Sequence, residues 1–264
     1  MSPLAQRVAS AIVGVPAIIG LIYLGGNWYV AGVAIALAIA SIEFNHARRD
    51  WLDPVCVLTA LLVAGVAVGA HTGDYRWYVW LGAALAIPPI AVAVSPTENG
   101  MLDDAAWIAF GVTYVGILGS FLVQLRDVDF DGRSWVYLTV LSTFTVDTAA
   151  FFTGRAIGRR LLAPSISPKK TWEGFVGGWG AGFAAVVTLG IAFDLTNEPL
   201  KLGLLALLLP PVAAFGDLAE SAMKRRMHLK DASELIPGHG GVLDRLDSIL
   251  FTFALVYVFT QVVF

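Results

Sequence analysis

Two aspartates stand three residues apart, with an arginine between them, in the stretch HGGVLDRLDS at residues 239–248. Asp244 and Asp247 would share one face of a helix that begins near this point. Carboxylates near a helix N-terminus also suit the helix dipole, so a capping role stays open for either aspartate. Their position directly after Gly240 and Gly241, which let backbone approach a ligand, favours a cation site instead.

A second acidic group lies upstream, in GDLAESAMKRR at residues 216–226. Asp217, Glu220, Ser221 and Lys224 recur at i, i+3, i+4 and i+7, which places them on one helix face. Asp217 would lie roughly 10 Å along a helix from Lys224. In a membrane helix, such a charge usually faces a cavity or a partner. The alternative is a structural ion pair between Glu220 and Lys224.

Basic residues cluster close to these acids along the chain. Lys169 and Lys170 stand in SPKKTWEG at residues 167–174, where a proline and a tryptophan would fix their segment. Arg159 and Arg160 are equally consistent with contacts to anionic lipid. Carboxylates alone would suit a cation pathway, and basic residues alone would suit lipid headgroups. Both together favour a phosphate–Mg²⁺–carboxylate site.

The composition places these residues in a membrane protein. Of the 264 residues, 57% are hydrophobic and 14% are charged, and the mean hydropathy is +0.74. A soluble domain is about 45–50% apolar and about 25% charged. Strand-like alternation is absent, so we predict an all-α, polytopic integral membrane protein with about nine transmembrane helices. The predicted spans cover residues 8–25, 28–45, 53–70, 77–95, 106–125, 134–157, 174–194, 200–224 and 244–264.

The distribution of Lys and Arg predicts the orientation. With nine spans, 13 of the 17 basic residues fall on the side of the N-terminus, and the other four (Arg76, Arg126, Arg133 and Lys201) fall on the opposite side. By the positive-inside rule, the N-terminus is then cytoplasmic. The 13 are Arg7, Arg48, Arg49, Arg155, Arg159, Arg160, Lys169, Lys170, Lys224, Arg225, Arg226, Lys230 and Arg245.

The chain forms one membrane domain with two unequal halves. Residues 1–130 are apolar spans, in which acids such as Glu43 stand alone, so we expect this half to serve packing and dimer formation. Residues 131–264 carry the clustered charge and the expected catalytic site. Asp147 in this half fits either a site role or helix packing through a satisfied carboxylate.

Two features of the second half bear on local structure. The loops at 158–173 and 225–243 are long for a compact protein, and such loops are usually functional or disordered. Pro210 and Pro211 predict a kink or a break near the middle of the span at 200–224.

The segment SAMKRRMHLKDASELIPGHGGVLDRLD, residues 221–247, resembles the signature of the phosphatidate cytidylyltransferases, also called CDP-diacylglycerol synthases. Residues 167–174 resemble a second block of that family, and residues 147–154 a weaker third, with Ala149 where many members have glycine. The signature positions matched are Ser221, Lys224, Arg225, Lys230, Asp231, Pro237, His239, Gly240, Gly241, Asp244, Arg245 and Asp247.

This resemblance implies an activity, its cofactors and its partners. Such enzymes join CTP and phosphatidate to give CDP-diacylglycerol and pyrophosphate, in phospholipid biosynthesis. They require Mg²⁺, with a second cation such as K⁺ beside it. They act at the cytoplasmic face, which here would be that of a bacterial inner membrane, and they form homodimers among membrane lipids. No nucleic acid is expected as a partner.

The expected site follows from the same positions. We assign Asp217, Asp244 and Asp247 to metal ions, with Glu220 as a second choice, and we count Lys224 with the three aspartates as catalytic. The expected substrate-binding residues are Lys169, Lys170, Ser167, Ser221, Arg225, Lys230, His239, Gly240, Gly241 and Arg245.

Three other functions compete with this interpretation. A CTP-dependent polyprenol or lipid kinase would need the same acidic and basic residues. Its products would be a lipid phosphate and CDP, rather than a CDP-lipid and pyrophosphate. A secondary transporter would place its acids near the midplane between inverted repeats, whereas here they crowd one face and no repeat is visible. The CDP-alcohol phosphatidyltransferases begin their pattern with Asp-Gly-x-x-Ala-Arg, which this sequence lacks.

Overall fold

The structure is a computed structural model, and it describes residues 3–73, 75–94, 97–98, 100–227, 229, 232–233, 235–236 and 240–263. Two predicted substrate-binding residues, Lys230 and His239, lie outside the described residues, as do Asp231 and Pro237 of the signature.

The described chain is almost entirely helical. Seven helices in the described residues are long and apolar enough to cross a membrane, while residues 12–24 and Arg76–Val92 form shorter apolar helices. The predicted all-α, polytopic class is therefore confirmed, and the exact number of crossings stays a prediction. The helices are α1 (Pro3–Leu24), α2 (Gly26–His46), α3 (Pro54–Thr72), α4 (Arg76–Val92), α5 (Met101–Gly111), a π-helical segment (Val112–Ile117), α6 (Leu118–Arg126), α7 (Gly132–Ile157), α8 (Trp172–Ala192), α9 (Pro199–Arg226) and α10 (Leu243–Val262).

Polar side chains define where several of these helices begin. The Asp53 carboxylate accepts a hydrogen bond from the backbone N–H of Val55 at the start of α3. Asp131 accepts from the N–H of Ser134 at the start of α7, and the Thr171 hydroxyl accepts from the N–H of Gly174 at the start of α8. Such caps satisfy N–H groups that have no partner within the helix.

The chain divides into two compact units, and residues 231–245 belong to the unit formed by residues 1–127. In this first unit, apolar side chains fill the space left by glycines. A Cβ on Gly111 would lie 2.6 Å from the Phe44 ring, and one on Gly119 would overlap the Leu37 side chain. Both Phe44 and Leu37 are buried, so α2 packs closely on the helices around the π-helical segment.

The first unit also buries a polar network. The Asp104 carboxylate accepts from the backbone N–H and the hydroxyl of Thr97, both at 2.8 Å. It also forms an ion pair with Arg49 at 3.2 Å. A second carboxylate, that of Asp53, lies 3.2 Å from the same guanidinium. This network satisfies each buried charge with a partner, as burial requires.

The second unit contains residues 128–230 and 246–264. Its helices α7 and α8 approach at backbone distance along a row of small residues spaced four apart, Gly174, Gly178 and Gly182. A Cβ on Gly174 would lie 2.8 Å from the carbonyl oxygen of Ala150 and 3.2 Å from the Cα of Gly154. Small residues at this spacing are typical of helix pairs in membranes.

The predicted loop at 158–173 contains a short antiparallel sheet, with β1 at Leu161–Ala163 and β2 at Ser167–Thr171. The Glu173 carboxylate accepts from the backbone N–H groups of Arg159 and Arg160, which fixes the base of this hairpin to the start of α8. The segment is therefore an ordered hairpin, a feature that the pattern of prolines and basic residues did not predict.

Helix α9 continues without interruption through Pro210 and Pro211, so the predicted break is wrong, while the kink predicted as the alternative stays a prediction. Pro210 is buried, and a Cβ on Gly182 would meet its ring at 2.8 Å. Helix α8 therefore packs closely on α9 at Pro210, and neighbouring helices commonly make proline tolerable inside membrane helices.

Candidate active site

The second unit contains an open cavity of about 410 Å³, a size typical of small-molecule sites. Helices α7, α8 and α9 and both strands of the hairpin contribute to its wall. The lining residues are Val146, Asp147, Ala150, Phe151, Gly154, Arg155, Leu162, Lys169, Lys170, Thr171, Gly174, Phe175, Ala214 and Asp217.

Five charged residues line this largely apolar cavity. Lys169, Lys170 and Asp217 were predicted as site residues, and they come from β2 and α9. Asp147 lines it from α7, which favours a site role over helix packing alone. Arg155, two turns further along α7, was predicted only as a determinant of orientation. The residues around Arg155 along the chain gave no reason to predict a site role. The fold shows that Arg155 lines the same cavity as Lys169 and Lys170.

Lys170 and Asp217 form an ion pair, with Nζ and Oδ2 2.5 Å apart. The two residues are far apart in sequence, and the hairpin brings the lysine to α9. Both side chains remain about a third exposed. Lys170, predicted to bind phosphate, and Asp217, predicted to bind metal, therefore contact each other in the cavity wall.

Three further residues on α9 have structural contacts. Glu220 is buried, and its Oε2 lies 2.6 Å from Lys224 Nζ, which matches the ion pair expected as an alternative to a site role. Ser221 makes only a long contact with Asp217, at 3.4 Å. Near the end of the helix, the Nε of Arg225 donates to the carbonyl oxygen of Ile166 at 3.2 Å. Because Ile166 directly precedes β2, this bond holds the strand that carries the lysines.

Helices α9 and α10 touch at Gly216. A Cβ there would lie 2.8 Å from the carbonyl oxygen of Asp247 and 3.0 Å from the Cα of Ser248. The backbone of Asp217, next to Gly216, therefore lies at the same helix crossing as that of Asp247. Two predicted metal ligands are neighbours at this crossing.

Asp244 has a different environment, within the first unit. Its Oδ2 accepts from the backbone N–H groups of Gly241 at 2.7 Å and Ala232 at 3.0 Å, and the residue is buried. Gly240 adopts a φ of 85°, and a Cβ on it would meet Asp244 Oδ2 at 2.7 Å. Through these hydrogen bonds Asp244 joins Ala232 to Gly241. Its role as a metal ligand stays a prediction.

The expectation that Glu43 stands alone is wrong. This buried side chain of α2 accepts from the Ser233 hydroxyl at 2.6 Å, from the N–H of Val242 at 3.0 Å and from the N–H of Leu243 at 2.7 Å. Some 190 residues separate Glu43 from these partners, so no local pattern could have predicted the contact.

The donor set fits a Mg²⁺ site of the open kind. Within the described part of the chain, no group of three or more His, Cys, Asp or Glu side chains gathers as a metal cage. Mg²⁺ does not require one, because it commonly binds one or two carboxylates and completes its shell with substrate phosphates and water. Asp217, partly exposed on a cavity that also holds basic residues, is a suitable donor.

Apolar helices long enough to span a membrane surround a cavity that lysine, arginine and aspartate side chains line, as a membrane enzyme with anionic substrates would require. The chain belongs to the cytidylyltransferase family, whose sequence profile matches residues 5–263. The resemblance detected in the signature segment is thereby confirmed over nearly the whole chain.

Curated relatives agree with this family assignment. The chain is 35% identical to a phosphatidate cytidylyltransferase of Brucella melitensis over 265 residues, covering 98% of this chain and 94% of the relative. It is 32% identical to the phosphatidate cytidylyltransferase of Synechocystis over 287 residues, covering 96% and 95%. For the enzyme of the same name from Bacillus subtilis, the identity is 34% over 185 residues, covering 70% and 68%.

Proposed function

We propose that this protein transfers the cytidylyl group of CTP to phosphatidate, giving CDP-diacylglycerol and pyrophosphate. Membership of the cytidylyltransferase family supports this proposal, as do relatives of that name over nearly the full chain. The structural observation that carries it is the cavity of the second unit, where Arg155, Lys169 and Lys170 face Asp217.

The reaction needs little acid–base chemistry from the protein. An oxygen of the lipid phosphate attacks the α-phosphorus of CTP, and the bond from that phosphorus to the bridging oxygen breaks. The electron pair leaves with pyrophosphate. The second pKa of a phosphomonoester is about 6, so the attacking group is already largely dianionic at neutral pH. The main obstacle is repulsion between two anions.

The residues of the cavity address this repulsion through charge and position. Lys169, Lys170 and Arg155 bind phosphate oxygens and hold the two substrates close together. The apolar side chains of the wall, such as Phe151 and Phe175, restrict water around these charges, which strengthens each contact.

Mg²⁺, with a monovalent cation such as K⁺ beside it, completes the proposed site. Asp217 and Asp247 would hold these ions, with Asp244 as a third candidate, and the ions would neutralise charge on the phosphates and on the leaving group. Glu220 is the weakest candidate, because its contact with Lys224 already accounts for its burial.

The proposed setting is the inner membrane of a bacterium, with the site at the cytoplasmic face and the protein as a homodimer. The excess of basic residues on one side supports this orientation. Single cysteines in a Cys56→Ser background test it. A cysteine at Ser167 should react with an impermeant thiol reagent only from the cytoplasm, and one at Asp131 only from outside. The reverse pattern would contradict the orientation.

Product analysis tests the reaction itself. Purified protein with Mg²⁺ and phosphatidate should transfer label from α-³²P-CTP into lipid, and label from γ-³²P-CTP into pyrophosphate. Transfer of the γ-label into lipid would instead establish a lipid kinase and overturn the proposal. Absence of any nucleotide-dependent product would also overturn it.

A further inference from the structure

We propose that Glu43, on α2, is a positioning residue for the signature segment that leads into α10. Its carboxylate is buried, with 1% exposed. One oxygen accepts from the Ser233 hydroxyl and the Val242 N–H, and the other accepts from the Leu243 N–H. Its link to catalysis rests on the proposed function, in which Asp244 and Asp247 contribute to the metal site.

Glu43 and Asp244 together close one loop. Glu43 joins Ser233 to the residues that begin α10. Asp244 joins Ala232 to Gly241 through their backbone N–H groups. Both carboxylates therefore connect residues 232–233 with residues 241–243. The position at which α10 begins, and with it the position of Asp244, depends on a side chain from the N-terminal half of the sequence.

Gly241 is the glycine that leaves room for this contact. A Cβ added to it would lie 2.7 Å from both oxygens of Glu43. That distance is too short for any side chain unless the carboxylate moves. The second glycine of the signature pair is thus explained by a carboxylate from α2 that packs directly on it.

The contact requires a charged carboxylate of this length. An anion beside the first N–H groups of a helix is favoured by the helix dipole, and its hydrogen bonds are charge-assisted. In Glu43→Gln, the NH₂ group of the amide would replace one carboxylate oxygen. A donor would then face a hydroxyl or N–H group that donates to Glu43 in the wild-type protein. In Glu43→Asp, the charge remains, but the side chain is one methylene too short to reach all three partners.

Hydrogen–deuterium exchange of the full-length protein tests the contact without relying on activity. In Glu43→Gln, the peptide over residues 232–246 should exchange faster by about tenfold or more, the change expected for loss of a charged hydrogen bond. Asp104→Asn is the matched control, since Asp104 is an equally buried carboxylate of the same unit whose partners among the described residues, Thr97, Arg48 and Arg49, lie outside this segment. Unchanged exchange of this peptide in Glu43→Gln would overturn the proposal.

A double substitution tests the packing of Glu43 on Gly241. Gly241→Ala should lower the melting temperature strongly in the wild-type background. In a Glu43→Ala background the carboxylate is gone, so the added methyl should cost much less. Residues in contact show such non-additivity, whereas independent sites add. Additive effects would contradict direct contact between the two residues.

Kinetics separate positioning from general stability. Relative to wild type, Glu43→Gln should lower kcat about tenfold and raise the Mg²⁺ concentration for half-maximal rate, with a smaller change in the KM for CTP. Asp104→Asn should lose folded protein but keep the wild-type Mg²⁺ titration. An unchanged titration in an active Glu43→Gln enzyme would refute the positioning role. If wild-type protein lacks the activity, the proposed reaction fails, and exchange alone decides the role of Glu43.

Discussion

Two buried carboxylates of the first unit, Glu43 and Asp104, differ in their surroundings from Asp217 of the second unit. In the first unit, Glu43 and Asp104 each accept several hydrogen bonds from backbone or hydroxyl donors and are almost inaccessible. In the second unit, Asp217 faces a cavity, keeps 30% of its side chain exposed and pairs with the ammonium of Lys170. A fully satisfied acid holds backbone in place, whereas an accessible acid beside cations is available to ligands.

The comparison predicts its largest effect at Asp217. Asp217→Asn keeps the shape but removes the charge, so activity should fall by about 100-fold or more, because metal positioning contributes several kcal/mol to the transition state. Any residual activity should need more Mg²⁺. Rate measured against Mg²⁺ concentration checks this, with Asp103→Asn, in the first unit, as a control. Near wild-type rates in Asp217→Asn would remove the contrast between the units.

Loss of a cation from the cavity should have a smaller and different effect. Lys169→Ala, Lys170→Ala and Arg155→Ala should each raise the KM for CTP or for phosphatidate by roughly tenfold, as expected for one lost charged hydrogen bond. The Mg²⁺ requirement should change little in Lys169→Ala and Arg155→Ala, whose side chains are not the ones paired with Asp217. Steady-state kinetics with each substrate varied would reveal which phosphate each residue binds. An unaltered KM for both substrates in Arg155→Ala would exclude it from the site.

The α7–α8 packing that frames the cavity predicts a stability effect. In Gly178→Ala, the new methyl would lie 2.8 Å from the carbonyl oxygen of Val146 and 2.9 Å from the Cβ of Ala150. Overpacking of this kind costs about 1–3 kcal/mol. Gly180→Ala is the control, since no atom beyond the neighbouring backbone of its own helix lies within 4 Å of its added Cβ. Thermal unfolding in detergent should separate the two variants, and equal melting temperatures would contradict the close approach.

The smallest effect on catalysis is expected at Asp104. Asp104→Asn weakens the network with Arg49 and Thr97, so stability should fall by about 1–3 kcal/mol, because Arg49 keeps its second carboxylate partner, Asp53. The kcat of the folded enzyme should be unchanged within about twofold, because Thr97, Arg48 and Arg49, the described partners of Asp104, lie outside both the cavity and the signature segment. Activity per folded molecule, after size-exclusion purification, checks this. A large loss of kcat would contradict a purely structural role for Asp104.

The sequence predicted the elements of the fold better than their contacts. All nine predicted spans correspond to helical segments, because long apolar runs in a membrane protein have few alternatives to helix. Lys169, Lys170 and Asp217 were predicted as site residues from charge and spacing, and all three line the cavity. The metal and phosphate roles assigned to them stay predictions.

The missed features depend on contacts between distant residues. The ion pair of Lys170 with Asp217 requires the hairpin, whose strands of three and five residues are too short for a periodic pattern. Glu43 meets its partners across some 190 residues, and Arg155 differs from other arginines only in what it faces. Tertiary packing determines the ion pair, the contacts of Glu43 and the position of Arg155. The sequence composition does not predict any of these three features.

The central claim is that the cavity of the second unit binds the substrates. Leu162 lines this cavity from β1, whereas the adjacent Leu161 does not. We would place a single cysteine at each position in a Cys56→Ser background and measure the rate of maleimide labelling. CTP with Mg²⁺, or phosphatidate, should slow labelling of Leu162→Cys several-fold and leave Leu161→Cys unchanged. Equal labelling of Leu162→Cys with and without both substrates, in an active enzyme, would contradict the account.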